Sequence, residues 1–111
     1  MSEAKIIARF TAPGFHRWPG AHAGREYLAQ RHRHLFHVEV KTLVAHDDRE
    51  IEFHDLLDAA KEQFGEGEFG DLSCEHLARR LAEALAKIFE RPFTVSVFED
   101  GEVGAEVSSA A

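Results

Sequence analysis

The chain is poor in cysteine, in basic charge and in long apolar runs. Cys74 is the only cysteine among 111 residues, so no internal disulfide can form and a reducing compartment is expected. Lysine and arginine number 13 against 20 acidic residues, a net charge of −7 with the histidines neutral. Such a balance speaks against a nucleic-acid surface, which should be basic. It leaves room for a small anionic substrate, because one local positive charge can outweigh the total. No apolar run approaches the roughly 20 residues that cross a bilayer, so no membrane association is expected. The opening Met1-Ser2-Glu3-Ala4-Lys5 leads into an apolar stretch too short for a signal peptide, and a cytoplasmic location is expected. What is present is ordinary apolar content, high charge and one domain's length over residues 1–111.

The most informative stretch is His32-Arg33-His34-Leu35-Phe36-His37-Val38-Glu39-Val40. It reads as a strand headed by two histidines on one face, since side chains at i and i+2 point the same way, about 6–7 Å apart. Two imidazoles so placed can converge on one ion. The same face continues through Phe36, Val38 and Val40, so the pair stands at the end of a buried surface. His37 faces the other way. His46 shares the face, but lies about 40 Å from His34 along an extended strand, too far to join them within one subunit. A third ligand would complete the three-histidine set of a catalytic zinc.

The rest of the chain falls into order around that strand. Residues 4–12 alternate as a strand that Pro13-Gly14 should end. An irregular stretch to Arg31 carries Phe15, His16, Trp18, His22 and Tyr27, aromatic enough to form a lid or pocket wall. A strand is expected over 33–45, then a short extended piece at Ile51-Glu52-Phe53. A helix follows from about Asp55, with His54 or Asp55 as its cap and Leu56, Ala60 and Phe64 on its buried stripe. Gly65 to Gly70 breaks that helix. Ser73 can cap a second one, which runs until Pro92 stops it. Residues 93–99 alternate again, Asp100-Gly101 signals a two-residue hairpin, and Val103, Ala105 and Val107 form the return strand. The expected fold is α+β, in the order ββααββ: a four-stranded antiparallel sheet with two helices on one face. The long sheet edges predict a homo-oligomer.

Four elements, in register, resemble the 6-pyruvoyltetrahydropterin synthase family, which includes the queuosine-pathway 6-carboxytetrahydropterin synthases. His32-Arg33-His34-Leu35-Phe36 looks like the family's His-Gly-His and aromatic. Ile51-Glu52-Phe53-His54-Asp55-Leu56 is similar to its strand-end piece before the first helix. Ser73-Cys74-Glu75-His76-Leu77-Ala78 looks like its Thr-x-Glu-Asn start of the second helix. Val95-Ser96-Val97-Phe98-Glu99-Asp100 looks like its Val-x-Val-aromatic-Glu-Thr strand end. The resemblance implies the tunnelling fold (T-fold), a Zn²⁺ held by three histidines, a pterin at a subunit interface and a glutamate that anchors the pterin ring.

Carried over by position, the resemblance makes His32 and His34 metal ligands, with His16 as the third and His22 as runner-up. It makes Glu99 the ring anchor. Alternation puts Glu99 on the face of Phe93, Val95 and Val97, where a carboxylate is costly unless donors meet it. A pterin edge offers an N–H and an NH₂ side by side, and a carboxylate accepts both. The family's catalytic cysteine has no counterpart in residues 26–31, and its Leu-Asp-His motif between the helices is replaced by the Gly65–Asp71 segment. The general base is therefore unassigned, with His22, Glu26 and His54 as candidates. The expected activity is a zinc-dependent lyase, or a closely related reaction, on a dihydropterin. The alternatives are a catalytically silent module that binds a pterin- or purine-like ligand, and a purely structural metal site.

Overall fold

In a computed structural model, residues 2–110 are described. Among them are five strands and two α-helices: β1 Ala4–His16, β2 His32–Val44, α1 Phe53–Phe64, β3 Gly67–Glu68, α2 Cys74–Phe89, β4 Thr94–Glu99 and β5 Val103–Ser108. The chain is α+β, with the strands in one sheet in the order β3-β1-β2-β4-β5. All neighbours run antiparallel except β3, which lies parallel to β1. This overturns the expected four-stranded, wholly antiparallel sheet and the ββααββ order of the tunnelling fold, since a fifth strand enters between the helices.

The physical reason is local. Gly65, Gly67 and Gly70 adopt positive φ (74°, 98° and 61°), which lets the chain double back along the outer edge of β1 instead of merely breaking the helix. Gly14 makes room for the return. A Cβ there would stand 2.3 Å from Phe69 Cε2, so only glycine admits the buried Phe69 ring against β1. A two-residue strand is too short to show an alternating pattern, and nothing periodic announced it.

β1 also runs four residues beyond its expected end at Ala12. Pro13 does not stop it because its missing N–H is not needed there. Backbone groups of Phe15 and Arg17 face β3 and its flank, with Phe69 N–H donating to the Phe15 carbonyl and Arg17 N–H to the Gly70 carbonyl. Pro13, two residues earlier, turns its backbone to the same side of β1, away from β2, where its missing N–H breaks no β1–β2 hydrogen bond.

α1 starts at Phe53, and its cap is Glu52 rather than His54 or Asp55. The Glu52 carboxylate accepts from the His54 and Asp55 backbone N–H groups. Residues 51–53 are thus a cap and first turn, not a strand end. Ser73 caps α2 as expected, and His76 reciprocates from the N3 position.

The inward face of the sheet carries Phe10, Ala12, Phe36, Val38, Val40, Val95 and Val97. Leu56, Ala60 and Phe64 of α1 and Leu77, Leu81 and Leu85 of α2 close over it in one buried cluster. No helix of the described residues is long and apolar enough to cross a membrane. The even-numbered face of β1 and β2 is the buried one, so His16, His32 and His34 project from the end of this core.

Candidate metal centre and the cavity beside it

The antiparallel register of β1 and β2 sets His16 opposite His32 and Gly14 opposite His34. All three histidines lie on the inward face, with ring centroids 4.6 to 5.1 Å apart. One ligand atom from each lies within 4.8 Å of the other two, so the three rings could hold a metal ion. His16 is buried, and the other two are half-buried.

Their tautomers follow from their neighbours. His16 Nδ1 stands 2.9 Å from the Leu72 carbonyl and His32 Nδ1 2.9 Å from the Gln30 carbonyl. His34 Nδ1 stands 2.8 Å from Asp100 Oδ2. Carbonyl and carboxylate oxygens can only accept, so each Nδ1 carries the proton and donates it. In a neutral ring this leaves every Nε2 as a bare lone pair. The Nε2 atoms of His16 and His34 are buried, and neither finds a hydrogen-bond partner among the described residues. Buried acceptors left bare cost free energy. A cation between them relieves that cost, and imidazoles braced at the second nitrogen are the usual setting of a metal ligand. The donor set therefore fits a metal ion.

The sequence gives Asp100 a place at the end of the strand motif and in the turn but no role at the histidines, and it does more. Asp100 and Gly101, with φ of 55° and 74°, reverse the chain. The register Glu99↔Val103 leaves three residues in that loop rather than the expected two. One carboxylate oxygen of Asp100 accepts from His34, the other from the Leu35 backbone N–H at 2.9 Å, and the Asp100 N–H returns to the Leu35 carbonyl at 2.8 Å. The His34 hydrogen bond, with the Leu35 N–H behind it, holds the Asp100 carboxyl below the usual carboxylate range. An asparagine has one acceptor oxygen for these two donors, so Asp100→Asn must leave His34 or Leu35 facing an NH₂ group. Metal affinity should fall about 10–100-fold, measured by competition with a chromophoric chelator. An unchanged affinity would show that the carboxylate does not steer the ring.

Glu99 ends β4 on the inward face, opposite Phe36. Its Oε2 lies 3.1 Å from His16 Nε2 and 3.6 Å from His34 Nε2. A cavity of about 550 Å³ opens beside these groups, walled by His16, His32, Glu99, Cys74, Trp18 and Leu72 among others. Its size falls in the range of small-molecule sites. Cys74, at the first turn of α2, is buried against this wall. Burial, with Glu99 and Glu75 nearby, pushes its thiol up to about 12. The reactive thiolate is therefore scarce. Alkylation of native protein by iodoacetamide near neutral pH should run roughly a thousandfold slower than in the unfolded chain, judged from three decades of thiolate fraction. Mass spectrometry of timed samples gives the two rates, and similar rates would show an unshielded thiol.

The catalytic candidates are not gathered here. His54 is exposed at the start of α1, paired with Glu52. His22 is in the loop, edge-on to Trp18, with Nδ1 donating to the next carbonyl, of Ala23. Glu26 accepts from Gly24 N–H. None of the three borders the cavity. Sequence reasoning missed Asp100, Cys74 and the Leu72 carbonyl as parts of the site. Asp100 could have been found by aligning β4 with β2, which sets it beside Leu35. The Leu72 carbonyl had no side-chain signal at all.

No family model matches the chain, and no curated protein matches it.

Proposed function

We propose that this chain is a zinc-dependent enzyme of the 6-pyruvoyltetrahydropterin synthase type, a lyase or closely related activity acting on a dihydropterin. The convergence of three Nε2 lone pairs, each fixed by an acceptor at Nδ1, carries this reading. His16, His32 and His34 would hold the ion, and His22 is left outside the set. Zinc suits three imidazoles with a further position for water or substrate, although imidazole alone would also accept nickel or copper. When bound, such an ion supplies Lewis acidity toward an oxygen on the substrate.

The chain's own residues supply the rest. Leu72 and Val103 give the cavity apolar walls for a flat ring. Glu99 offers the carboxylate that an N–H and NH₂ pair would need. Exposed Trp18 and Val103 at the cavity, 44% and 64% accessible, support a second subunit closing it in a homo-oligomer. Incubating metal-loaded protein with 7,8-dihydroneopterin triphosphate should give turnover that a chelator abolishes.

The alternative is a silent module that binds a pterin- or purine-like ligand. The protonated Cys74 thiol and the absence of His22, Glu26 and His54 from the cavity lining favour it. Tight pterin binding without turnover would decide for the module and against the enzyme.

A further inference from the structure

The geometry points to Glu99 as a fourth protein ligand of the metal, one that gives up its place when a ligand enters. The inference rests on the metal centre proposed above and assigns the carboxylate a second duty there.

The contact between Glu99 and the histidines is otherwise hard to explain. Oε2 stands 3.1 Å from His16 Nε2 and 3.6 Å from His34 Nε2. Both nitrogens are lone-pair acceptors, since their rings donate from Nδ1. Acceptors this close repel unless a positive charge lies between them. A proton on His16 Nε2 could serve, but that nitrogen forms no hydrogen bond with the oxygen despite the separation, so the ring does not aim at it. The distance alone suggests an ion pair; the direction rejects a hydrogen bond, and direction is the stricter test.

A metal ion removes the difficulty. Ligands to one ion do not point at each other but at a common centre. With ligand distances of about 2.0–2.1 Å, the edge of a tetrahedron is roughly 3.3–3.4 Å. The separations of Oε2 from His16 and His34 bracket that edge. One proton could satisfy one of these acceptors, whereas a dication satisfies all of them. A carboxylate also halves the net charge that three neutral imidazoles would leave beside apolar Leu72 and Val103.

Glu99 is well placed to leave. It is the last residue of β4, its side chain is partly exposed, and it borders the cavity. An incoming oxygen or anion would take the position, and the freed carboxylate would face the cavity as an acceptor for a donor pair on the same ligand. The ligand class that fits carries a metal-binding oxygen and an N–H/NH₂ edge.

Cobalt(II)-loaded protein tests this with azide as the probe. Azide binding is followed by the visible spectrum in wild type, Glu99→Ala and Glu99→Gln. With the carboxylate on the metal, wild type should resist azide and Glu99→Ala should bind it about tenfold or more tightly. The cobalt spectrum should also shift on substitution without any azide. Glu99→Gln keeps the shape of the side chain should the alanine variant melt early. Loss of cobalt from both variants with unchanged thermal melts would equally place the carboxylate on the ion. Equal azide affinity in wild type and variants would overturn the assignment. Wild type that takes up no stoichiometric cobalt would overturn the metal centre as well, and the stoichiometry separates the two failures.

Discussion

His16→Ala should weaken zinc affinity by roughly 10²–10³-fold. Structural zinc sites bind with about 10–16 kcal/mol over four ligands, so one ligand is worth about 2.5–4 kcal/mol, and about 1.4 kcal/mol is a factor of ten. His16 is the decisive choice because it lies on a different strand from His32 and His34, and because its Nε2 is buried and bare. The matched control is His22→Ala. That ring lies in the loop beyond β1 and is tied to its neighbour's carbonyl, so its loss should leave affinity unchanged. Competition with a chromophoric chelator measures both. If His22→Ala loses the metal and His16→Ala keeps it, the third ligand is the runner-up and the register of β1 against β2 is not what places it. Acid should weaken binding in wild type, because ligating imidazoles must be neutral and protons compete for the same lone pairs.

Gly104→Ala should destabilise the fold by about 3 kcal/mol or more, lowering the melting temperature on the order of 10 °C. A Cβ at Gly104 would stand 2.0 Å from the Val97 carbonyl oxygen and 2.6 Å from Phe98 Cα. These are backbone atoms of the neighbouring strand, so no side-chain rotation relieves the clash. β5 must move away from β4, and β4 carries Glu99. The variant should therefore also disturb the cavity wall that Val103 and Gly104 form. Gly101→Ala is the comparison. Its φ of 74° makes alanine unfavourable, but the nearest atoms to a new Cβ are in the His37 ring at 3.5 Å. That strain should cost about 1–2 kcal/mol. A Gly104→Ala melt no lower than that of Gly101→Ala would mean that the two strands do not approach so closely.

The residues that the sequence showed most plainly are those with a period. Alternation over Phe36, Val38 and Val40 and over Val95 and Val97 located the inward faces of β2 and β4. The spacing of Leu77, Leu81, Leu85 and Ile88 reads as the buried stripe of α2; the first three are buried, while Ile88, in the last turn, is exposed. The same period set His32 and His34 on one face and His37 on the other. Chemistry that acts within three residues was equally legible: Ser73 as a cap and Asp100-Gly101 as a reversal. Where local signals misled, another part of the chain had changed their meaning. Pro13-Gly14 is a stop in isolation. In the sheet, the proline turns its backbone away from β2 and the glycine admits Phe69, so β1 continues to His16.

By itself, then, the sequence determined which residues face inward, roughly where the helices lie and that His32 and His34 share a face, because each follows from backbone periods or from groups a few bonds apart. His16 as third ligand was implied only by the family resemblance, with His22 as runner-up, and it is the β1–β2 register that sets His16 opposite His32. Tertiary structure alone decided that a glycine-rich segment becomes a parallel fifth strand. It also decided that Leu72, Gln30 and Asp100 set the histidine tautomers, and that Glu99 stands against their bare nitrogens. These depend on pairing between positions far apart in the chain, 66 residues for His34 and Asp100 and more for His16 and Glu99, fixed by sheet register and by space that only the folded core defines.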